Sequence, residues 1–189
     1  MMNSPAQIAE FTSEVGKKKS ELSVVKMLIL GFFAGMFIAF GAVAANTASS
    51  LITNAGVAKL LGALVFPAGL AMVIVAGAEL FTGNCLMLVS VFDKKIKFIA
   101  MLKNWLFVYI GNFIGGCFTA AMMNLGHQFG LFNNNLALTT IKVAASKCSL
   151  NFLDALILGI FCNILVCIAV WMSFGAKSVS GKIIALYAM

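Results

Sequence analysis

The sequence predicts an all-α membrane protein, a bundle of membrane-spanning helices. Three observations carry that prediction. Of 189 residues, 62% are hydrophobic and only 10% are charged. The mean hydropathy is +1.04, more apolar surface than a soluble domain of this length can bury. The apolar residues also fall into long runs that reach the ~20 residues a helix needs to cross a bilayer, separated by short polar stretches that hold most of the lysines.

The first element is polar. Residues 5–21 place Ile8, Phe11 and Val15 at helical spacing with charges between them. This is the pattern of a short amphipathic helix lying on a membrane surface. A secretory signal would end in a short apolar run and a small-residue cleavage site. Here the apolar run from Met27 to Ala45 is long enough to span and leads into further membrane sequence, so it is expected to be retained. The predicted division is an N-terminal amphipathic segment over residues 1–25 and a transmembrane channel domain over 26–189.

The first span is expected over Met27–Ala48. It is rich in small residues, and Gly31 and Gly35 form a GxxxG, which lets two helix backbones approach closely. The second apolar stretch, Leu60–Phe92, holds 33 residues. As one straight helix it would be about 50 Å long, against a hydrocarbon core ~30 Å thick. A break is therefore expected, and the polar cluster Glu79–Asn84 marks it, with Gly77 and Gly83 easing the change of direction. The third span is expected over Trp105–Met123, with three residues between Gly111 and Gly115. A polar segment follows over Asn124–Ser149. The fourth span is Phe152–Phe174, with Trp171 as an interface anchor. A last apolar run begins at Ile183 and reaches Met189. Seven residues cannot cross a bilayer, so the chain is expected to stop inside a span.

Charge orients these elements. All thirteen basic residues are lysine. Ten of them precede the first span, join the second to the third, or follow the fourth; Lys59, Lys142 and Lys147 make three on the other side. The positive-inside rule then places the N-terminus in the cytoplasm, provided Leu60–Phe92 counts as one crossing. The same composition argues against nucleic-acid binding, which calls for arginine and aromatics clustered on a polar face. The five cysteines lack paired spacing, so neither a zinc site nor a disulfide framework is indicated, and they are read as small packing residues. No metal or other cofactor is expected.

The cluster Glu79–Asn84 is the chemical feature of the chain. A helix that ends inside a membrane exposes unpaired backbone groups, tolerated only against protein or a water-filled cavity. Broken helices recur as substrate sites in transporters. The N-terminus of the outgoing half-helix offers N–H groups and partial positive charge to an anion. Thr82 adds a hydroxyl, Asn84 is expected to cap the following half-helix, and Glu79 is expected to accept hydrogen bonds from loop backbone. Asn163 stands alone in an apolar helix; interhelical hydrogen bonding and pore lining are equally open to it. His127 falls in the polar segment and reads as a solvated loop histidine. An intramembrane hydrolase would need a nucleophile, a base and an orienting group in contact. A lone loop histidine and six acids make that a poor reading, and no catalytic residue is assigned.

Three blocks of the chain resemble the formate/nitrite transporter family. They are AGAELFTGNCLM (Ala76–Met87), KNWLFVYIGNFIGG (Lys103–Gly116) and LGIFCNILVCIAVWMSFGAKSVSGK (Leu158–Lys182). The resemblance implies an aquaporin-like fold of six spans in a bacterial inner membrane. It also implies a homopentamer in which each protomer passes small inorganic or carboxylate anions, namely formate, nitrite or hydrosulfide. By the same resemblance Phe66, Leu70, Leu80 and Phe81 match pore constrictions and Thr82 a pore-lining threonine. Lys147 matches an anion-attracting lysine and Asn163 a polar residue near the pore, while Glu79, Gly83 and Asn84 structure the loop. The family also carries a second broken span, with a histidine that takes part in anion passage. Neither that segment nor a sixth span occurs before Met189, which implies either a longer natural protein or a truncated, non-conducting subunit.

Overall fold

The computed structural model describes residues 2–187, and within them every regular element is helical. Helix α1 (Pro5–Ser20) starts with a reciprocal cap between Ser4 and Gln7 and a proline in its first turn, and ends on Lys17, Lys18 and Lys19. Each device satisfies or complements free backbone groups at a helix end. The face it buries is Ile8, Thr12, Ser13 and Gly16. That differs from the expected Ile8–Phe11–Val15 stripe: Phe11 is 46% exposed. Small and polar residues form the contact because α1 lies against protein. Ser90 Oγ donates to the Ser13 carbonyl at 2.8 Å, and Asn3 bonds the carbonyls of Gly175 and Phe174.

Helix α2 (Val24–Ser49) and helix α7 (Phe98–Leu125) form the central pair. They run parallel. Gly31 faces Val108 and Gly111, Gly35 faces Asn112, and Gly115 faces Phe32 and Met36. At Gly31 a Cβ would sit 2.9 Å from the Val108 carbonyl oxygen, so only glycine permits this approach. Of the glycines read from the sequence as packing residues, Gly31 and Gly111 thus meet each other across this pair, and Gly35 and Gly115 each meet the backbone of the partner helix.

The Leu60–Phe92 stretch forms four pieces and begins earlier than expected. Asn54 Oδ1 accepts from the Val57 amide and starts α3 (Ala55–Val65). Pro67, which lacks an amide hydrogen, opens α4 (Pro67–Ala76). Together Ala55–Ala76 is long and apolar enough to cross a membrane. Gly77, at φ +79, ends the helix in the left-handed region that glycine enters without steric cost. The chain is non-helical to Leu80, then forms α5 (Phe81–Asn84) and α6 (Met87–Phe92). The irregular backbone therefore lies at Gly77–Leu80, earlier than the Glu79–Asn84 read from polarity. Gly83 has helical geometry and eases no turn; its Cα faces Val170 of a later helix.

The segment expected to be merely polar, Asn124–Ser149, holds helix α8 (Asn135–Cys148), entered through three consecutive left-handed residues, Phe132, Asn133 and Asn134. Helix α9 (Phe152–Gly175) is capped by Asn151, and α10 (Val179–Leu186) by Ser178. Of the final apolar run, Ala188 and Met189 lie outside the described residues. Four helices or helix pairs are of membrane length: Val24–Ser49, Ala55–Ala76, Phe98–Leu125 and Phe152–Gly175. Leu70, Val73, Ala34, Ala169 and Leu186 form the buried apolar cluster between α2, α4, α9 and α10, with Leu80 packed on it.

Candidate functional site

The site is built around the backbone of Gly77–Leu80. Loss of helical hydrogen bonds here leaves groups that must find partners, since a buried unpaired group costs about 1–3 kcal/mol. The partners come from two directions. Gly77 and Ala78 amides both return to the Val73 carbonyl, and the Glu79 amide donates to the Leu30 carbonyl of α2 at 3.2 Å. Asn112, halfway along α7, supplies three more bonds. Its Nδ2 donates to the carbonyls of Glu79 (2.9 Å) and Gly31 (2.8 Å), and its Oδ1 accepts from the Phe81 amide at 2.9 Å. One carboxamide thus completes both sides of an interrupted backbone and ties it to α2.

The side chains of Glu79 and Asn84 reach Lys19 of α1. Glu79 is 6% exposed, Asn84 1% and Asn104 is fully buried. Lys19 Nζ lies 2.8 Å from Glu79 Oε1 and 2.8 Å from Asn84 Oδ1. Asn84 Nδ2 donates to Glu79 Oε2 at 2.7 Å and to Asn104 Oδ1 at 2.8 Å. Asn104 Nδ2 closes the circuit on the Lys19 carbonyl, and the Trp105 indole donates to the Asn84 carbonyl. Two sequence expectations are corrected here. Glu79 is held by the side chains of Lys19 and Asn84, and loop amides point elsewhere. Asn84 does not cap the helix that follows: its carboxamide is taken up by Glu79, Lys19 and Asn104, while α6 starts after Leu86 without a side-chain cap. The carboxylate is affordable because an ammonium neutralises it and a carboxamide bonds its second oxygen.

A cavity of about 240 Å³ opens beside this network. Leu70 and Leu80 share its wall with Lys19, Glu79, Val170 and Phe174. Phe66, at the α3–α4 hinge, does not line it. Phe81 turns to α7 and meets Trp105 and Tyr109 edge-to-face, with ring centroids 5.8 and 5.4 Å apart. Thr82 is half-buried on α5, and its carbonyl receives Asn163 Nδ2 at 3.4 Å and Cys167 Sγ at 3.3 Å from α9. Asn163 therefore bonds between helices. The expected anion use of the α5 N-terminus meets a competitor, since Asn112 already takes the Phe81 amide. Lys147 sits exposed in the last turn of α8 and lines no part of the cavity. His127 is exposed with a left-handed backbone. Cys117, Cys148 and Cys162 are exposed in the chain, contrary to the packing role read for them, whereas Cys85 and Cys167 are half-buried. Exposure follows from their place on the outer faces of α7, α8 and α9, which no described residue covers.

The sequence reading missed Lys19, Asn104 and Asn112. Asn104 and Asn112 carried a detectable signal, as polar residues eight apart in the apolar α7. Lys19 carried none, being the last of three lysines in a row.

A family model described as formate/nitrite transporter matches residues 6–189. The chain belongs to that family. Among members of the formate/nitrite transporter family, it is 42% identical over 187 residues to the uncharacterized transporter YrhG of Bacillus subtilis (strain 168), covering 97% of this chain and 70% of that protein. It is 36% identical to the formate channel FocA of Haemophilus influenzae, covering 94% of this chain and 63% of that channel. A solved pentameric formate channel with formate bound superposes with a TM-score of 0.77 at 34% identity, over 87% of this chain and 65% of that one. Another solved structure, an ion channel of the same family, matches in fold with a TM-score of 0.87 at 23% identity. The chain thus spans roughly two thirds of the length of these relatives. It is a multi-pass helical membrane protein of a family of channels and transporters.

Proposed function

We propose that the protein conducts small monovalent anions of weak acids, with formate the first candidate and nitrite and hydrosulfide the others. The observation that carries this reading is the clamped, non-helical Gly77–Leu80 segment beside a cavity whose wall joins Leu70 and Leu80 to Lys19. It reads as a broken second span of an aquaporin-like bundle, interrupted at the level where α7 places Asn112, its middle residue. Asn112 pairs backbone groups of the loop, and Gly77–Leu80 lines the cavity, where irregular backbone is tolerated.

The electrostatics support an anion. A lone carboxylate 5 Å from a passing anion would repel it by about 3 kcal/mol at an effective dielectric of 20. Lys19 and Asn84 remove that penalty by engaging both oxygens of Glu79. Leu70 and Leu80 form an apolar narrowing. In this reading Phe66 at the α3–α4 hinge and Phe81 and Thr82 on α5 extend the path, Asn163 adds a polar group beside Thr82, and Lys147 draws anions toward the far end. Assembly as a homopentamer in an inner membrane, with the N-terminus cytoplasmic, follows the family relatives and the ten-to-three division of lysines.

The test is flux. Protein reconstituted in liposomes is expected to release trapped formate faster than protein-free liposomes, and Leu80→Ala to change the rate. Formate release no faster than from protein-free liposomes overturns the reading.

A further inference from the structure

The α5–α9 contact carries a pair of thiols that the anion path does not use. Cys85 follows α5, and Cys167 lies on α9 one turn beyond Asn163. Asn163 stands between them. Its Nδ2 donates to Cys85 Sγ at 3.2 Å, and its Oδ1 accepts from Cys167 Sγ at 3.4 Å. The two sulfurs therefore lie at opposite ends of one carboxamide. Both thiols also lie beside backbone oxygen: the Thr82 carbonyl, 3.3 Å from Cys167 Sγ, is an alternative acceptor for its single S–H, and Cys85 Sγ donates to the Phe81 carbonyl at 3.5 Å. Neither is in a disulfide. Both are half-buried, unlike Cys117, Cys148 and Cys162.

We propose that Cys85 and Cys167, with Asn163 and the Thr82 carbonyl around them, form a binding site for a soft, thiophilic cation held between two sulfurs. Thiolates select soft metals over the hard cations that prefer carboxylate and carbonyl oxygen. Each thiol releases its proton to solvent as its metal–sulfur bond forms, and no electrons are exchanged. A divalent soft cation gives a neutral dithiolate. Neutrality matters here, because an uncompensated charge between apolar helices is costly and the charged pair of this region, Lys19 and Glu79, is already mutually satisfied. Asn163 swings aside to admit the ion; its amide has the Thr82 carbonyl as a remaining partner. Bound metal would fasten α5 to α9 at Thr82. The inference does not rest on anion conduction, and its test needs none.

The probe is Hg²⁺, added as the chloride to the full chain in detergent, with the three exposed cysteines replaced (C117A, C148A, C162A). One equivalent is expected to remove both remaining thiols from maleimide labelling, to appear as one mercury per chain by native mass spectrometry, and to raise the thermal unfolding temperature. Two sulfurs on one ion act as a chelate. An excess of a monothiol competitor should therefore strip mercury from C85S or C167S at concentrations at least 100-fold lower than from the parent. The metal-free melting of each variant checks that it folds. Loss of only one thiol per equivalent, two mercury ions per chain, or single-serine variants that hold mercury as firmly as the parent would each overturn the proposal. The thiol count on the parent alone decides the matter should a variant misfold.

Discussion

Replacing Asn112 with leucine, which keeps the number and branching of the side-chain heavy atoms and removes every polar atom, tests the central physical claim about the site. In the native fold Asn112 makes three hydrogen bonds, to the Phe81 amide and the Glu79 and Gly31 carbonyls. The Gly31 carbonyl lies inside α2 and keeps its helical acceptor role. The Phe81 amide and the Glu79 carbonyl have no helical alternative, because the chain is irregular there. Two groups left unpaired at about 1–3 kcal/mol each predict a loss of about 2–6 kcal/mol. Relaxation of the kind that lowers hydrogen-bond contributions within membranes favours the low end, about 2–3 kcal/mol. For a chain of this size that is a fall in melting temperature on the order of 4–12 °C. The assay is thermal unfolding in detergent, with Asn124→Leu, an exposed asparagine at the end of the same helix, as the control. Amide exchange adds a local readout: the Phe81 amide should lose protection in Asn112→Leu while amides deep in α2 keep theirs. An Asn112→Leu protein that melts with the control and protects Phe81 as the native chain does would refute the clamp.

Three further outcomes are expected. Gly35→Ala and Gly115→Ala put a methyl group into the backbone of the partner helix. Overpacking of this kind costs about 1–3 kcal/mol, whereas Gly116→Ala, which meets nothing within 4 Å, should melt no lower than the native chain. Lys19→Met removes the ammonium from a nearly buried carboxylate and should cost about 2–4 kcal/mol, given that Lys19 keeps some solvent contact; a double-mutant cycle with Glu79→Gln should recover part of that loss, and strict additivity would deny the coupling. The third concerns pH. Lys95 lies 2.8 Å from Glu14 and holds its carboxyl below the usual glutamate value, first by hydrogen bonding and then by charge. A lowered folded value means the stabilisation is complete above the ordinary glutamate range and is lost as pH falls through the folded value. Glu14 in turn raises Lys95, whose contribution is complete below the ordinary lysine value and is lost as pH climbs through the raised one. Hydrogen exchange in α1, corrected for intrinsic rate, should therefore quicken in acid, and Lys95→Gln should flatten that dependence.

Much of the helical content was legible because membrane-length apolar runs and a glycine spacing of four are local properties. Gly31, Gly35, Gly111 and Gly115 could be read as close-packing residues before any partner was known, since the absence of a side chain is itself the signal. The position of the irregular backbone was less legible. Polarity pointed to Glu79–Asn84, but polarity marks where side chains need partners, and backbone direction changes where a residue tolerates positive φ. Gly77 does so, and Thr82, Gly83 and Asn84 stay helical. Helix α8 escaped notice because its residues look like a polar connection, and its start depends on three left-handed residues that no local rule demands.

The sequence by itself determined that this is a helical membrane protein of the formate/nitrite transporter family, because apolar run length and short motifs act over tens of residues or fewer. Only the tertiary structure decided who satisfies whom. Glu79 and Lys19 are 60 residues apart, and Glu79 and Asn112 are 33 apart. Nothing in either neighbourhood encodes the choice of partner. It is made when α1, α2 and α7 close on the interrupted backbone, and each buried polar group takes the nearest donor or acceptor that geometry leaves to it.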